Sequence, residues 1–177
     1  MEQRDTEANI MVAWVGLPYG FVLRGEGEVA RSKNSSQLFT HRDYSIESIH
    51  PKVSIRRSDS KGYTAEVGYS WHDQVNRLGG EFARQNTIYA QSDLMSPSKG
   101  SIMLKISLVD ISYSGEVQSA VAYEMLKGLQ PGRNAVWEVA LRRRLLEFFE
   151  LELGYNGRYL ATGRVVHTGS MMARALF

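Results

Sequence analysis

The chain predicts an α+β fold: an antiparallel β-sheet with two or three helices packed on it. Three observations carry that expectation. Ile102, Leu104, Ile106 and Leu108 alternate with Met103, Lys105 and Ser107, the period of a strand with one buried face. Val117, Val121, Met125 and Leu129 recur every fourth residue beside Ala120 and Ala122, the apolar stripe of an amphipathic helix. Trp137, Leu141, Leu145 and Phe148 follow at spacings of four, four and three and predict a second helix. Helices set beside an antiparallel sheet make an α+β fold.

Length sets the frame for the other elements. A chain of 177 residues fits one domain and can bury roughly 70% of the surface its unfolded form exposes. Residues 1–177 are therefore expected to form one unit. Residues 1–8 carry Glu2, Arg4, Asp5 and Glu7 and are expected as a flexible N-terminal tail. Ile10 to Val15 is apolar and rich in branched and aromatic residues. Gly16, Pro18 and Gly20 punctuate it before Phe21 to Leu23 and Val29, and two strands are predicted there.

Arg31 to Ser36 and Ser58 to Gly62 are polar and predict loops. Between them Val53-Ser54-Ile55 alternates briefly, as a strand does. Tyr63, Ala65, Val67, Tyr69 and Trp71 fall on one side at period two, which predicts a half-buried strand. Gly79-Gly80 breaks the chain, and Phe82 to Tyr89 suits another strand. Asp93 to Gly100, with Pro97 inside it, predicts a loop.

The C-terminal part reads strand, helix, helix, hairpin. Ser114 is placed to cap the first helix, with Glu116 in the first turn where the helix dipole favours an acid. That helix ends near Gly128 to Pro131. The second starts after Gly132, with Glu138 and Arg142, and Arg143 and Glu147, four residues apart and able to pair. Gly154 and Asn156-Gly157 then signal a tight turn between arms at Phe149–Leu153 and Tyr159–Val166.

Composition excludes several function classes. There is no cysteine, so there is no disulfide scaffold, thiolate zinc site or cysteine nucleophile. The start lacks the basic region and apolar run of a signal peptide, so the chain is not expected to be secreted. No stretch approaches 18 uncharged apolar residues, and no transmembrane segment is expected. The net charge of +2 and pI near 8.9 permit contact with acidic lipid or nucleic acid without requiring it.

No catalytic, cofactor or metal constellation is expected. The four histidines, His41, His50, His72 and His167, show no metal-ligand spacing. His72-Asp73 suggests an acid–base pair, but adjacent residues in a strand point apart. Arg24-Gly25-Glu26-Gly27-Glu28 has the glycines of a phosphate loop, yet its glutamates would repel a phosphate.

Binding features remain. Three basic clusters stand out: Lys52, Arg56 and Arg57; Arg142, Arg143 and Arg144; and Arg158 with Arg164. All eight are candidates for contact with nucleoprotein, RNA or acidic lipid, and the arginine triplet has the alternative of a solvated helix face laced with Glu138 and Glu147. The apolar turn at Leu17, Pro18, Tyr19 and Phe21 is a candidate for self-association or membrane contact. So are Met171, Met172, Leu176 and Phe177 near the C-terminus.

The run Lys99 to Ser107, followed by Glu116 to Leu129, Asn134 to Phe148 and the turn at Tyr155 to Tyr159, resembles the last third of rhabdovirus matrix proteins. The likeness lies in element order and spacing and covers about residues 97–166. It is nearest to plant-infecting, cytorhabdovirus-like members. The chain departs from the animal pattern in having no lysine-rich N-terminal arm and no Pro-Pro-x-Tyr or Pro-Thr/Ser-Ala-Pro motif.

The resemblance implies a non-enzymatic structural protein of the virion and the host cytoplasm or nucleus. Its expected partners are further copies of itself, the viral nucleoprotein–RNA complex and an acidic membrane surface. The basic clusters support an alternative, a viral RNA-binding regulator or silencing suppressor. A small enzyme of unrecognised type is the third reading.

Overall fold

A computed structural model describes residues 2–36, 43–96, 100–146 and 148–175. It is nearly all antiparallel sheet. The strands are β1 (Glu2–Gly16), β2 (Phe21–Ser36), β3 (Tyr44–Ser58), β4 (Tyr63–Asn76), β5 (Phe82–Ser96), β6 (Gly100–Ser114), β7 (Gly132–Leu146), β8 (Phe149–Tyr159) and β9 (Val165–Ala175). Their order in the sheet is their order in the chain, so the topology is an uninterrupted nine-stranded meander.

One short α-helix, α1 (Ala120–Leu126), lies in the connection from β6 to β7. Ser119 caps it, its hydroxyl accepting a hydrogen bond from the Ala122 amide at 3.0 Å, and Lys127 ends it in the left-handed conformation. The cap thus sits five residues after Ser114, the position the sequence suggests.

The α+β expectation is therefore corrected: the fold is all-β with a single helix. The second helix is strand β7. Trp137, Leu141 and Leu145 lie four apart, and four is also a multiple of the strand period, so the same residues share one face of a strand. Val139 lies between Trp137 and Leu141 and Ala135 precedes them, a run at period two, while Arg143 stands between Leu141 and Leu145. The hairpin predicted at Asn156-Gly157 is also displaced. β8 runs straight through it and turns at residues 160–164.

Of two expected loops, one is strand throughout and the other is strand at its described residues. β2 takes in Arg31 to Ser36, and β5 and β6 together take in Asp93 to Ser96 and Gly100. β1 begins at Glu2, within the segment expected as a tail, and pairs with β2 along its whole length.

The two ends of the sheet differ. Connections at one end span residues 17–20, 59–62, 97–99 and 147–148; at the other they span 37–43, 77–81, 115–131 and 160–164. The buried core sits at the second end. There Val121, Ala122, Met125 and Leu126 of α1 pack on Tyr44, Ile46, Ala83, Val109 and Ile111 of the sheet. Elsewhere the strands contact chiefly their sequence neighbours, and among the described residues no second sheet packs on either face.

Candidate functional site

Because β-strand side chains alternate between faces, the register assigns every strand residue to one of two surfaces. On the face away from α1, the outer face, Ile102, Leu104, Ile106 and Leu108 of β6 stand in rows with their partners; the face that α1 packs on is the inner one. The Leu108 row runs Val53, Tyr69, Ile88, Leu108, Ala135, Tyr159, Val165. The Ile106 row runs Leu23, Ile55, Val67, Ala90, Ile106, Trp137, Gly157, His167. The Ile102 row runs Tyr63, Leu94, Ile102, Leu141, Leu153, Met171.

These rows are open to the surroundings. Ile102 is 42% exposed, Leu104 50%, Ile106 54% and Leu108 59%. The alternation expected from the sequence is present, but the apolar side is the uncovered one. Seven strand spacings of about 4.8 Å and a height of roughly 20 Å give a band of roughly 700 Å² in projection. That exceeds the roughly 300–600 Å² of the largest apolar patch on an ordinary soluble monomer.

Polar groups bound the band. Towards the long connections Arg84 donates to both oxygens of Asp73, at 2.7 and 2.9 Å, and Arg77 to Glu47 at 2.8 Å. The Tyr69 hydroxyl donates to Asn86 at 2.8 Å. Towards the short turns lies Arg143, with the turn Pro18–Gly20 beyond β1; Arg57 and Ser92 stand within the band, in the Leu104 row Phe21, Arg57, Ala65, Ser92, Leu104, Val139, Tyr155, Gly169. Trp71, Tyr69 and Tyr159 sit near the first boundary and Tyr63 near the second, positions that suit amphipathic rings at a boundary between apolar and aqueous surroundings.

The inner face carries most of the paired charge, although Ile10, Val12 and Trp14 of β1, Val22 of β2 and Val136 of β7 also stand on it. Lys52 of β3 pairs with Glu26 at 3.2 Å and Glu66 at 3.7 Å, and Arg24 also pairs with Glu26. The Tyr89 hydroxyl donates to Glu66 at 2.5 Å, and the Lys52 and Lys105 ammoniums lie 5.1 and 5.3 Å from the Tyr89 ring centre. Further along, Arg142 donates to Glu152 at 2.8 Å, with Glu150 3.7 Å from Arg142 and Arg174 3.7 Å from Glu152. These are cross-strand ladders of opposite charge.

Titration follows this environment. Burial works against the Glu66 carboxylate, but the Tyr89 hydroxyl and Lys52 outweigh it and hold its pKa below the ordinary value. Burial likewise opposes the Lys52 ammonium, and its Tyr89 and Glu26 partners outweigh that and raise its pKa. His72 goes the other way: burial, then its neighbours His50 and Lys127, lower it to about 4. Its ring stacks on His50 with centres 4.7 Å apart. Asp73, next in sequence, points to the opposite face and belongs to Arg84, so the two form no acid–base pair.

The residues singled out from the sequence are distributed between these surfaces. Lys52, Arg56, Arg142 and Arg144 face inward, while Arg57 and Arg143 face outward. Neither the Lys52 cluster nor the arginine triplet is therefore a single patch, and the triplet is on a strand, not on a helix. Arg57 lies 5.3 Å from the Phe21 ring centre. Arg158 donates to the Lys127 carbonyl at 3.4 Å, at the end of α1, and Arg164 is in the turn beyond β8, so these two do not face each other across a hairpin.

Leu17, Pro18 and Tyr19 form the exposed tip between β1 and β2, with Tyr19 88% exposed. Met171 faces outward and Met172 inward, and both line a groove with Arg142. Leu176 and Phe177 lie outside the described residues. Sequence reasoning missed Glu26, Glu66, Tyr89, Lys105 and Glu152. The signal was the polar half of each alternation: Thr64, Glu66, Gly68, Ser70 and His72 occupy the other side of β4.

Compared with models of known families, with curated proteins and with solved structures, the chain matches none. The element order on which the matrix-protein likeness rests differs from that of the structure at residues 132–146, where β7 stands in place of a helix.

Proposed function

We propose that this chain forms part of the wall of a transmembrane β-barrel, with its apolar rows against lipid and its ion-paired face lining an aqueous interior. The observation that carries this reading is the division of the two faces across β2 to β9; β1 is apolar on both. Lipid offers nothing to a charged side chain and water nothing to an apolar one, so strands that separate the two alternate apolar outward and polar inward.

Dimensions agree with that reading. A tilted strand crosses a bilayer with about 9–11 residues, and the strands here have between 11 and 16. Short turns at one end and longer connections at the other follow the pattern of such barrels. Among the described residues no helix is long and apolar enough to cross a membrane. That criterion measures helices, and a strand needs only every second residue to be apolar.

In the nine-stranded order β1 and β9 run in the same direction. They cannot pair antiparallel with each other. Antiparallel closure takes an odd number of further strands between these edges, and closure is what removes unpaired backbone groups from lipid. Two parts of the sequence-based expectation remain in this proposal: action through contact faces and not a reactive pocket, and a membrane as partner.

The test is extraction. Protein refolded with phosphatidylcholine vesicles is expected to float with them after washes in alkaline carbonate and in urea, which release proteins bound only at the surface. A chain that stays monodisperse without detergent, or that carbonate strips from the vesicles, would refute the proposal. The second of those outcomes would favour a peripheral, self-associating role.

A further inference from the structure

We infer that the outer face carries a binding site for an anionic phospholipid at the short-turn edge of the apolar band, with Arg143 as its phosphate ligand. The inference rests on the membrane reading above and names a partner for one place on that surface.

The site is a groove of about 320 Å³ between the ends of β5, β6 and β7. Leu94, Ile102 and Leu141 stand in one cross-strand row and supply an apolar floor. Ser96, Gly100 and Arg143 form the next row, one step nearer the turns. The floor matches an acyl chain and the rim a headgroup, in the order a lipid at a membrane boundary presents them.

Gly100 keeps the rim open. Its φ of +121° is a conformation that side chains rarely adopt, and a Cβ there would come within 2.0 Å of the Arg142 carbonyl oxygen. No side chain can therefore occupy the space between Ser96 and Arg143.

Charge selects the occupant. Arg143 is exposed, and among the described residues no acid pairs with it, whereas its neighbour Arg142 on the other face has Glu150 and Glu152. A guanidinium at the end of an apolar band is lined up with the phosphates of the adjoining leaflet, and its planar fork binds two phosphate oxygens at once. Ser96 adds a hydroxyl on the opposite rim.

The experiment uses the chain in dodecyl maltoside micelles and measures the first bound lipid by native mass spectrometry. The probes are dioctanoyl phosphatidylglycerol and dioctanoyl phosphatidylcholine. The wild-type chain is expected to prefer the anionic lipid about fivefold, the ratio that corresponds to about 1 kcal/mol for one interfacial arginine. Arg143→Gln should bring the ratio close to one, and Arg143→Lys should keep most of it while weakening both lipids, because net charge sets the preference and the fork grips the phosphate that both lipids carry. Arg144→Gln, which alters the inward-facing arginine next in sequence, should leave it unchanged.

A preference that survives Arg143→Gln, or that Arg144→Gln removes equally, would overturn the site. So would equal binding of both lipids by the wild-type chain. Flotation with phosphatidylcholine vesicles separates the two levels. Failure there removes the membrane reading and the site together, while success there with no Arg143-dependent preference removes the site alone.

Discussion

The Tyr89 ring lies across Gly68, its cross-strand partner on the inner face. A Cβ added to Gly68 would come within 2.4 Å of the Tyr89 hydroxyl oxygen and 2.5 Å of its ring. The glycine is thus a seat for the ring, which in turn delivers its hydroxyl to Glu66 and lies beside the Lys52 and Lys105 ammoniums. Trp137 and Gly157 repeat the arrangement on the outer face, where a Cβ would meet the indole at 2.0 Å.

Gly68→Ala should therefore destabilise the fold by about 1–3 kcal/mol, the usual cost of overpacking. Gly25→Ala is the control, since a Cβ there meets nothing within 4 Å. Urea titration of the two variants should show a lower midpoint for Gly68→Ala and almost none of that change for Gly25→Ala. Equal midpoints would mean that Tyr89 does not rest on Gly68.

The two faces of β6 should respond oppositely to charge. Ile106 is outward and 54% exposed, while Ser107, its neighbour, is inward. In water an exposed isoleucine tolerates replacement by arginine almost freely. Against lipid the same change costs about 2–4 kcal/mol near the bilayer midplane. Ile106→Arg should strongly reduce the fraction of chain that survives carbonate extraction, and Ser107→Arg should have little effect. Equal yields for both variants would count against a lipid-facing outer surface.

His72 should make stability depend on pH in a defined window. Its ring is stacked on His50, with Lys127 of the α1 cap and Asp73 as the other charges acting on it, and its folded pKa is lowered to about 4. An unfolded histidine titrates near its ordinary value of 6.5. The unfolded chain therefore takes up a proton first as pH falls, and stability drops between about 6.5 and 4. Glu66, whose folded pKa lies below its ordinary value, loses its own contribution at lower pH. His72→Gln should flatten the decline above pH 4 in urea titrations, and an unchanged slope would assign it elsewhere.

Some of this architecture is written plainly in the chain. The alternations at Tyr63 to Trp71 and Ile102 to Leu108 are strands, and the stripe through Val121 and Met125 is a buried helix face. β7 is concealed because a spacing of four residues serves a helix and a strand equally. Asn156-Gly157 carries a turn signature yet lies within β8, where Asn156 faces inward beside Glu138 and Gly157 makes room for Trp137. The direction of the apolar faces is not legible at all. Ile102, Leu104, Ile106 and Leu108 read identically whether a protein core or lipid covers them, and only the register that lines them up with Ile88, Val139 and Leu153 shows a continuous band. The polar residues between them then acquire meaning as an inner surface.

The helix α1 supplies a last test, because it closes the buried core seen among the described residues. Met125 is wholly buried against the inner face, and its carbonyl accepts a hydrogen bond from Gln85 Nε2 at 2.8 Å. Met125→Ala removes three heavy atoms from that contact and should cost about 2–5 kcal/mol. Tyr123, on the same helix but 73% exposed, should tolerate alanine at under about 0.5 kcal/mol. The cost should also be local. Hydrogen exchange is expected to rise in residues 116–131 and at Tyr44 and Ile111, which the helix covers, and to stay low in the middle of β6 and β7, which hold each other through backbone pairing. Loosening that spread equally to β8 would show that the sheet depends on α1 for its stability, and loosening confined to 116–131 that the helix merely rests on it.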